Sequence, residues 1–400
     1  MSKARSHRLR WLAVLVLLAL GEIVFRAVFP APEVRNFNRI LFTPLGHLAA
    51  GTAGRGGRAL LRNVRVTWAS DPDGVEFEHT LNLYGFRGPD FEIAKTPERR
   101  RVVFIGDSIV EGVGVADAAT LPAVYQELAG DGVEVINLGV SASNLFGYLR
   151  LARVAVPLLE PDVVIVVLYA NDLPVAPYDD GPETAPPQPV ARRAWMPRAL
   201  DAMAGLLTGD TPALFYHRGP FPFFRPVPHP SNPLSGAPEG DAADVDSAVL
   251  AAMKAGRFNG HLRDAAHRAE RRLREPLGWR TGGGPELLEI RDLVRAHAGR
   301  LVVAYAPMHV AVSDHYRSAW NALGRPFEAP TLTTHEFRAQ AASVASFAAR
   351  LKLPFVDFTA AIERVEAEGE RLYLAYDSHM NERGYALLAR VLEREARGLD

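Results

Sequence analysis

The feature that most constrains this chain is a series of five short apolar runs separated by stretches of helical pattern. Each run is rich in β-branched residues and has apolar residues on both faces. Strands of this kind are typical of a parallel sheet that helices cover on both sides. The pattern therefore predicts an α/β fold with a central parallel sheet of about five strands. The predicted strands are 101–105, 133–137, 162–168, 301–306 and 354–357, and the predicted helices are about 120–129, 144–159, 285–299, 335–351 and 381–397.

Residues able to perform chemistry follow the carboxyl ends of these strands. Ser108 follows the first strand, Gly139 lies at the end of the second, and Asn171 follows the third. Asp377 and His379 come just before the last predicted helix. Because ligands bind outside the carboxyl ends of parallel strands, we expect these residues to lie along one edge of the sheet.

This set of residue types fits acyl transfer. A serine hydroxyl becomes a good nucleophile only when a base takes its proton, and the base needs an orienting partner. The oxyanion that forms needs N–H donors already in place, and Gly139 suits that role because it has no Cβ. Each motif alone is more often structural, since Gly-Asp-Ser and Asn-Asp are common in turns. Their joint placement favours Ser108 as a nucleophile.

Four segments that contain these residues resemble sequence blocks of the SGNH (GDSL-type) hydrolase superfamily, in the order of the family. They are "VVFIGDSIVEG", "INLGVSASN", "LYAND" and "YDSHMNERGY". The resemblance implies a three-layer, flavodoxin-like sandwich, the SGNH hydrolase fold, with no metal or organic cofactor. It implies that Ser108 is the nucleophile and that His379 is the base, oriented by Asp377. It also implies an oxyanion hole formed by the Ser108 amide, Gly139 and Asn171.

Two positions depart from the family pattern. Tyr169 stands where the third block usually has glycine. Asp377 precedes His379 by two positions, whereas the family commonly has a spacing of three, so Asp357 at the end of the last strand is a reserve candidate. His309 follows another strand and is a candidate either for substrate contact or for a structural role.

The remaining chain divides around this hydrolase region. We interpret 100–400 as the hydrolase domain, interrupted at 173–284 by an inserted cap or lid. The alternatives for this insertion are an ordered loop without contact to the site and partial disorder. Residues 173–238 hold 15 of the 30 prolines, which lack the backbone donors that a sheet needs. Residues 30–99 read as a lead-in with short strands, and their "LNLYGFRGPD" segment is similar to one often seen in exported members of the family.

The first 29 residues predict export. Four basic residues precede "WLAVLVLLAL" at 11–20, and no acidic residue occurs before Glu22. A helix over Leu9–Phe29 would be roughly 31 Å long, close to one bilayer core. We therefore expect a signal anchor at 1–29 that leaves the catalytic region periplasmic or extracellular, because basic residues stay on the cytoplasmic side. A cleaved signal peptide, which would give secretion, and a buried helix of a soluble domain are the alternatives.

Composition excludes several classes of function. Residues 1–29 carry a net charge of +4, whereas the whole chain sums to −1, so the main body is acidic. An acidic body argues against a nucleic-acid partner. The chain has no cysteine, which excludes disulfides, thiolate metal sites and a cysteine nucleophile.

The sequence therefore predicts a serine ester hydrolase that acts on O-acyl groups, of short chain length, on carbohydrate or lipid. The expected partners are a small acyl ester or acylated glycan and, through the N-terminal helix, the membrane. An O-acyltransferase that modifies cell-envelope polysaccharide with the same residues is one alternative. A non-catalytic envelope binding protein on the same scaffold is another.

Overall fold

A computed structural model describes the chain in several ranges. They are most of 11–24, then 64–70, 73, 75–82, 84, 86–141, 143–172, 243–254, 261–274, 284–324, 326–327 and 334–397. The proline-rich first part of the predicted insertion, 173–242, lies outside the described residues.

The described strands form two sheets. An antiparallel hairpin consists of β1 (Val64–Ser70) and β2 (Val75–Leu81). The central sheet consists of β3 (Arg100–Gly106), β4 (Val133–Gly139), β5 (Val163–Tyr169), β6 (Arg300–Ala306) and β7 (Phe355–Asp357). All of its pairs are parallel, and their order is β4-β3-β5-β6-β7. Counted along the chain this is 2-1-3-4-5, the flavodoxin-like order, so the predicted parallel sheet is confirmed.

Eleven labelled helices accompany these strands in the described ranges that follow residue 63. They are α1 (Ser108–Glu111), α2 (Leu121–Ala129), α3 (Leu145–Leu159), α4 (Ser247–Lys254), α5 (His261–Arg274), α6 (Gly284–Ala296), α7 (His309–Val312), α8 (Asp314–Asn321), α9 (Thr334–Leu351), α10 (Thr359–Ala367) and α11 (Glu382–Arg397). Short 3₁₀ turns at Asp117–Ala119 and Ala170–Asp172 complete the set.

The central sheet separates two apolar cores. Along β3, Val102 and Phe104 belong to one core, while Val103 and Ile105 belong to the other. Helices α2, α4, α5, α8, α10 and α11 contribute to the first core, and α3, α6 and α9 contribute to the second. Because both faces of the sheet are buried, its strands read in the sequence as continuous apolar runs.

The helical end of the predicted insertion is part of this fold. Met253 of α4 and Ala266 of α5 are fully buried in the first core. Helix α5 also lies beside the Ala170–Asp172 turn that follows β5. This end of the insertion therefore borders the carboxyl edge of the sheet, and its role as a lid stays a prediction.

Most of the predicted leader at 1–29 lies outside the described residues. Those described between Trp11 and Val24 are helical, and their apolar side chains are exposed. Within the ranges that the structure describes, no helix combines the length and the apolar character needed to cross a membrane.

Candidate active site

Ser108 begins α1 directly after β3. Asp107 caps this helix, since its Oδ1 accepts the backbone N–H of Ile109 at 2.8 Å. The Ser108 hydroxyl donates to Oδ2 of the same carboxylate at 3.4 Å. The helix has only four residues, and it is capped at its C-terminus by Gly112, whose φ of 85° is left-handed. The serine is thus held in the first turn of a short helix at the carboxyl edge of the sheet.

Helix α1 packs very close to β4 at Gly139. A Cβ on Gly139 would lie 2.0 Å from the backbone nitrogen of Glu111, so no other residue fits without a shift of α1. The Gly139 N–H already donates to Oδ1 of Asn137 at 2.8 Å. The geometry therefore assigns Gly139 a packing role, and its part in an oxyanion hole stays a prediction.

Asn171 lies in the turn that follows β5. Asp172 fixes this turn, because its buried carboxylate accepts the Tyr169 N–H at 2.7 Å and the Tyr148 hydroxyl at 2.8 Å. The side-chain amide of Asn171 lies beside Asp107, close enough to lower the pKa of that carboxyl. Its Oδ1 is buried and has no hydrogen-bond partner among the described residues. Asn171 and Ser108 therefore meet at the same carboxylate, which puts a side-chain N–H donor beside the serine.

The segment between α10 and α11 carries Asp377 and His379, and we call residues 373–380 the base loop. The Nδ1 of buried His379 hydrogen-bonds Oδ1 of Asp377. The His379 backbone N–H donates to the same oxygen at 3.2 Å. Asp357 instead accepts the backbone N–H of Thr359, the first residue of α10, at 2.9 Å. The shorter Asp-x-His spacing thus puts Asp377, and not Asp357, on the imidazole.

The base loop packs against the segment that follows α1. A Cβ on Gly114 would lie 3.5 Å from the Cβ of His379 and 2.7 Å from the carbonyl oxygen of Met380. Tyr385, in the first turn of α11, donates its hydroxyl proton to the carbonyl of Val113 at 2.8 Å. The segment after the serine and the loop with the histidine are therefore adjacent at this edge of the sheet.

Tyr169 links β5 to the base loop. Its buried hydroxyl donates to the carbonyl of Ser378 at 2.9 Å, and burial raises the pKa of the phenol. The residue that departs from the family pattern thus holds the immediate neighbour of His379. Its position at a strand end was the only sequence signal for this role.

Arg87 holds the segment after α1 from the side of the lead-in. Its fully buried guanidinium donates to the carbonyls of Gly112 and Val115 and, at 2.7 Å, to the carboxylate of Asp117. Burial lowers the pKa of Arg87, and the negative charge of Asp117 opposes that effect. Sequence reasoning missed this residue, because an arginine in the turn-rich "YGFRGPD" looks like a surface residue.

Two buried carboxylates, Asp107 and Glu111, flank Ser108. Burial raises the pKa of both, and the nearby His379 opposes the rise in both. Glu111 accepts the backbone N–H of Ser141 at 2.7 Å and also its hydroxyl, which ties the loop after β4 to α1. In the described part of the chain, no group of three or more His, Asp or Glu residues is arranged to hold a metal ion.

His309 lies at the start of α7, behind the base loop. Its fully buried ring has centroid distances of 5.0 Å to Tyr316, 4.5 Å to Trp320 and 5.9 Å to Tyr373. Neither ring nitrogen makes a hydrogen bond of normal geometry within the described residues, although the backbone of Ala375 is close. Burial lowers the pKa of His309 to about 3. This histidine is thus a neutral core residue with no exposed surface for substrate.

A family model described as "GDSL-like Lipase/Acylhydrolase family" matches residues 104–387, over two thirds of the chain. No curated protein matches the sequence significantly. Similar solved structures include a lipolytic protein of the G-D-S-L family from Veillonella parvula, with 12% identity, 73% of this chain and 96% of that chain covered, and a TM-score of 0.34. A carbohydrate acetylesterase family member from Sinorhizobium meliloti is 14% identical, with 75% of this chain and 98% of that chain covered and a TM-score of 0.37. A lipase/acylhydrolase from Enterococcus faecalis is 15% identical, with 75% of this chain and 96% of that chain covered and a TM-score of 0.36. These TM-scores and identities are too low to support an inference about function. The assignment of the chain to a family therefore depends on the family model alone.

Proposed function

This chain belongs to the GDSL-like lipase/acylhydrolase family, whose members hydrolyse ester bonds, and from that premise we propose that it is a serine esterase that removes short O-acyl groups from carbohydrate or lipid. One observation carries the proposal. The hydrogen-bonded pair Asp377 and His379 lies in a loop that packs against the segment following Ser108. An imidazole oriented by a carboxylate is the base that a serine hydroxyl requires.

In the proposed mechanism, Oγ of Ser108 attacks the carbonyl carbon of the ester while His379 takes the hydroxyl proton. Asp377 orients the imidazole and stabilises the positive charge that it acquires. The tetrahedral intermediate collapses, the bond to the alcohol oxygen breaks, and His379 returns the proton to the leaving alcohol. Water then attacks the acyl-enzyme with His379 as base again, which releases the carboxylic acid and restores Ser108.

The negative charge on the carbonyl oxygen needs N–H donors that are already in position. We assign this role to the side-chain amide of Asn171 and to the backbone amides of Ser108 and Gly139. Asn171 has two amide protons, so one can serve the oxyanion while the other lies beside Asp107. Gly139 is the weakest of the three candidates, because Asn137 already accepts its N–H.

We also propose that the catalytic region acts outside the cytoplasm. The support is the cluster of basic residues before the apolar segment at 11–20, since such residues stay on the cytoplasmic side of a membrane. Acylated glycans or lipids of the cell envelope are then the proposed substrates. An alkaline phosphatase fused after Asp400 should be active in cells, and an inactive fusion would contradict this location.

An ester panel on the full-length protein tests the proposed function. We expect turnover of p-nitrophenyl acetate and butyrate, and a fall in kcat on the order of 10⁶ in Ser108→Ala at unchanged melting temperature. Ser346→Ala changes an exposed serine of α9 and should retain full activity. Equal activity in wild type and Ser108→Ala would refute the mechanism. Adding glycan acceptors and measuring acyl transfer against hydrolysis separates an esterase from an O-acyltransferase.

A further inference from the structure

The hairpin of β1 and β2 lies outside the family match, yet its turn contacts the base loop. Asp73, in that turn, accepts two backbone N–H groups with the single oxygen Oδ1, from Ala375 at 2.7 Å and from Tyr376 at 3.1 Å. These two residues directly precede Asp377 in the chain. A carboxylate that accepts backbone N–H groups makes hydrogen bonds stronger than those between neutral groups.

The same lead-in also contacts the serine side of the site. The backbone N–H of Thr80 in β2 donates to both carboxylate oxygens of Asp117, at 3.1 and 3.0 Å. Arg87 donates to Asp117 and to the carbonyls of Gly112 and Val115, as described above. The lead-in therefore contacts both the segment that follows Ser108 and the loop that carries His379.

Side chains of α8 and β5 also make hydrogen bonds to the base loop. Trp320 donates its indole N–H to the carbonyl of Tyr376 at 3.1 Å, and Tyr169 donates to the carbonyl of Ser378. Both of these bonds engage carbonyl oxygens. Asp73 instead accepts the N–H groups at 375–376, so it constrains the peptide groups that lead into Asp377.

We propose that Asp73 is a positioning residue of the active site, because its carboxylate holds the backbone that presents Asp377 and His379 to Ser108. The inference rests on the proposed function, since the position of the base loop affects turnover only if His379 serves Ser108. In the proposed role, Asp73 does not contact the reacting atoms. It acts through the backbone on the orientation of the catalytic pair.

Two substitutions separate this role from a purely structural one. A displacement of about 1 Å near a reacting group can cost on the order of 10² in rate, so Asp73→Ala should lower kcat about 10- to 100-fold with little change in KM. Asp73→Asn keeps an oxygen with two lone pairs at the position of Oδ1, so it should restore kcat to within about threefold of wild type. A structural role alone would lower the melting temperature and leave the kcat of the folded protein unchanged.

The experiment compares full-length wild type, Asp73→Ala and Asp73→Asn with Asp131→Ala as the matched control. Asp131 is exposed in the turn before β4, at the opposite end of the sheet, and its variant should behave as wild type. Kinetics with p-nitrophenyl acetate are combined with the rate of labelling by a fluorophosphonate. In that labelling the Ser108 oxygen bonds to phosphorus, fluoride leaves and His379 takes the proton.

The outcomes distinguish this inference from the proposed function. If wild type is labelled but Asp73→Ala keeps kcat and labelling rate within about twofold, or if Asp73→Asn is as slow as Asp73→Ala, the positioning role is refuted. If folded wild type is not labelled at all, the proposed function is refuted instead. Should Asp73→Ala fail to fold by circular dichroism, Asp73→Glu, which moves the acceptor by one methylene, takes its place with the same expected loss.

Discussion

Asp107 joins three parts of the site because three groups surround its one carboxylate. It accepts the N–H of Ile109 and the hydroxyl of Ser108, and the side-chain amide of Asn171 lies beside it. Burial raises the pKa of Asp107, and these three groups oppose the rise. Burying a carboxylate without such partners would cost free energy. Asp107 can therefore be fully buried only because these groups surround it. Asp107 therefore orients the proposed nucleophile and a candidate oxyanion donor at once.

His309 allows a prediction about stability and pH. An unfolded histidine binds a proton below about pH 6.5, whereas folded His309 does so only near pH 3. The unfolded state thus holds the extra proton between these values, and the stability contributed by neutral His309 is lost as the pH falls through this window. Its contribution to the slope is at most about 1.4 kcal/mol per pH unit.

His309→Phe keeps an aromatic ring in the cluster of Tyr316, Trp320 and Tyr373 and removes the titration. We expect its free energy of unfolding to fall less between pH 7 and pH 5 than that of wild type. Urea unfolding at the two pH values measures the difference. Equal decreases in the two proteins would show that folded His309 accepts a proton in this range.

At the scale of elements, the close approach of β4 to α1 gives a paired prediction. Gly139→Ala would put a methyl group 2.0 Å from the backbone of Glu111 and push α1, with Ser108, away from the sheet. We expect it to lose about 1–3 kcal/mol of unfolding free energy or more, together with esterase activity. Gly132→Ala, just before the same strand, has nothing within 4 Å of its new methyl group and should be neutral or slightly stabilising.

Urea unfolding and turnover of p-nitrophenyl acetate check this pair. Unfolding is measured without substrate, so a loss of unfolding free energy in Gly139→Ala reports the contact with α1 and not the approach of a substrate to the Gly139 N–H. If Gly139→Ala matched Gly132→Ala in both measurements, the packing role assigned to Gly139 would be wrong.

The central strands, α1, Gly139 and Asp73 show which features of the molecule the sequence can predict and which it cannot. The strands of the central sheet were predicted to within about two residues, because burial on both faces leaves a continuous apolar run such as "VVIVVLY" at 163–169. The four-residue helix α1 was not predicted, because it is too short to show a helical period. A glycine after a strand fits both a donor role and a close packing contact, so only the geometry of Gly139 favours one of them. Asp73 could not be assigned from the sequence, because its partner Ala375 is 302 residues away.

At the scale of the whole molecule, strand order brings distant segments together. The first strand of the parallel sheet, β3, lies between the second and the third, so the loops after β3 and β5 are neighbours at the carboxyl edge. This is the switch point at which open α/β sheets bind ligands. Ser108 and Asn171 occupy these two loops, and the base loop joins them from beyond the last strand.

The family match begins at residue 104, but we predict that the active unit begins earlier. A form that begins at residue 91 lacks Asp73, Thr80 and Arg87, so two segments of the site lose their contacts with the lead-in. Hydrogen bonds to charged groups contribute about 1.5–3 kcal/mol each, so this form should lose about 3 kcal/mol of unfolding free energy or more. Its kcat on p-nitrophenyl acetate should fall as well.

A form that begins at residue 62 is the matched control, since the two forms differ only in the hairpin and the segment up to residue 90. Urea unfolding and steady-state kinetics on both forms measure what that segment contributes. If the two forms had equal unfolding free energies and equal kcat, the lead-in would be peripheral and the contacts of Arg87 and Asp73 would have no effect on catalysis. If the shorter form is less stable and slower, a boundary drawn at the family match divides the catalytic unit, because Arg87 fills its buried position from outside that boundary.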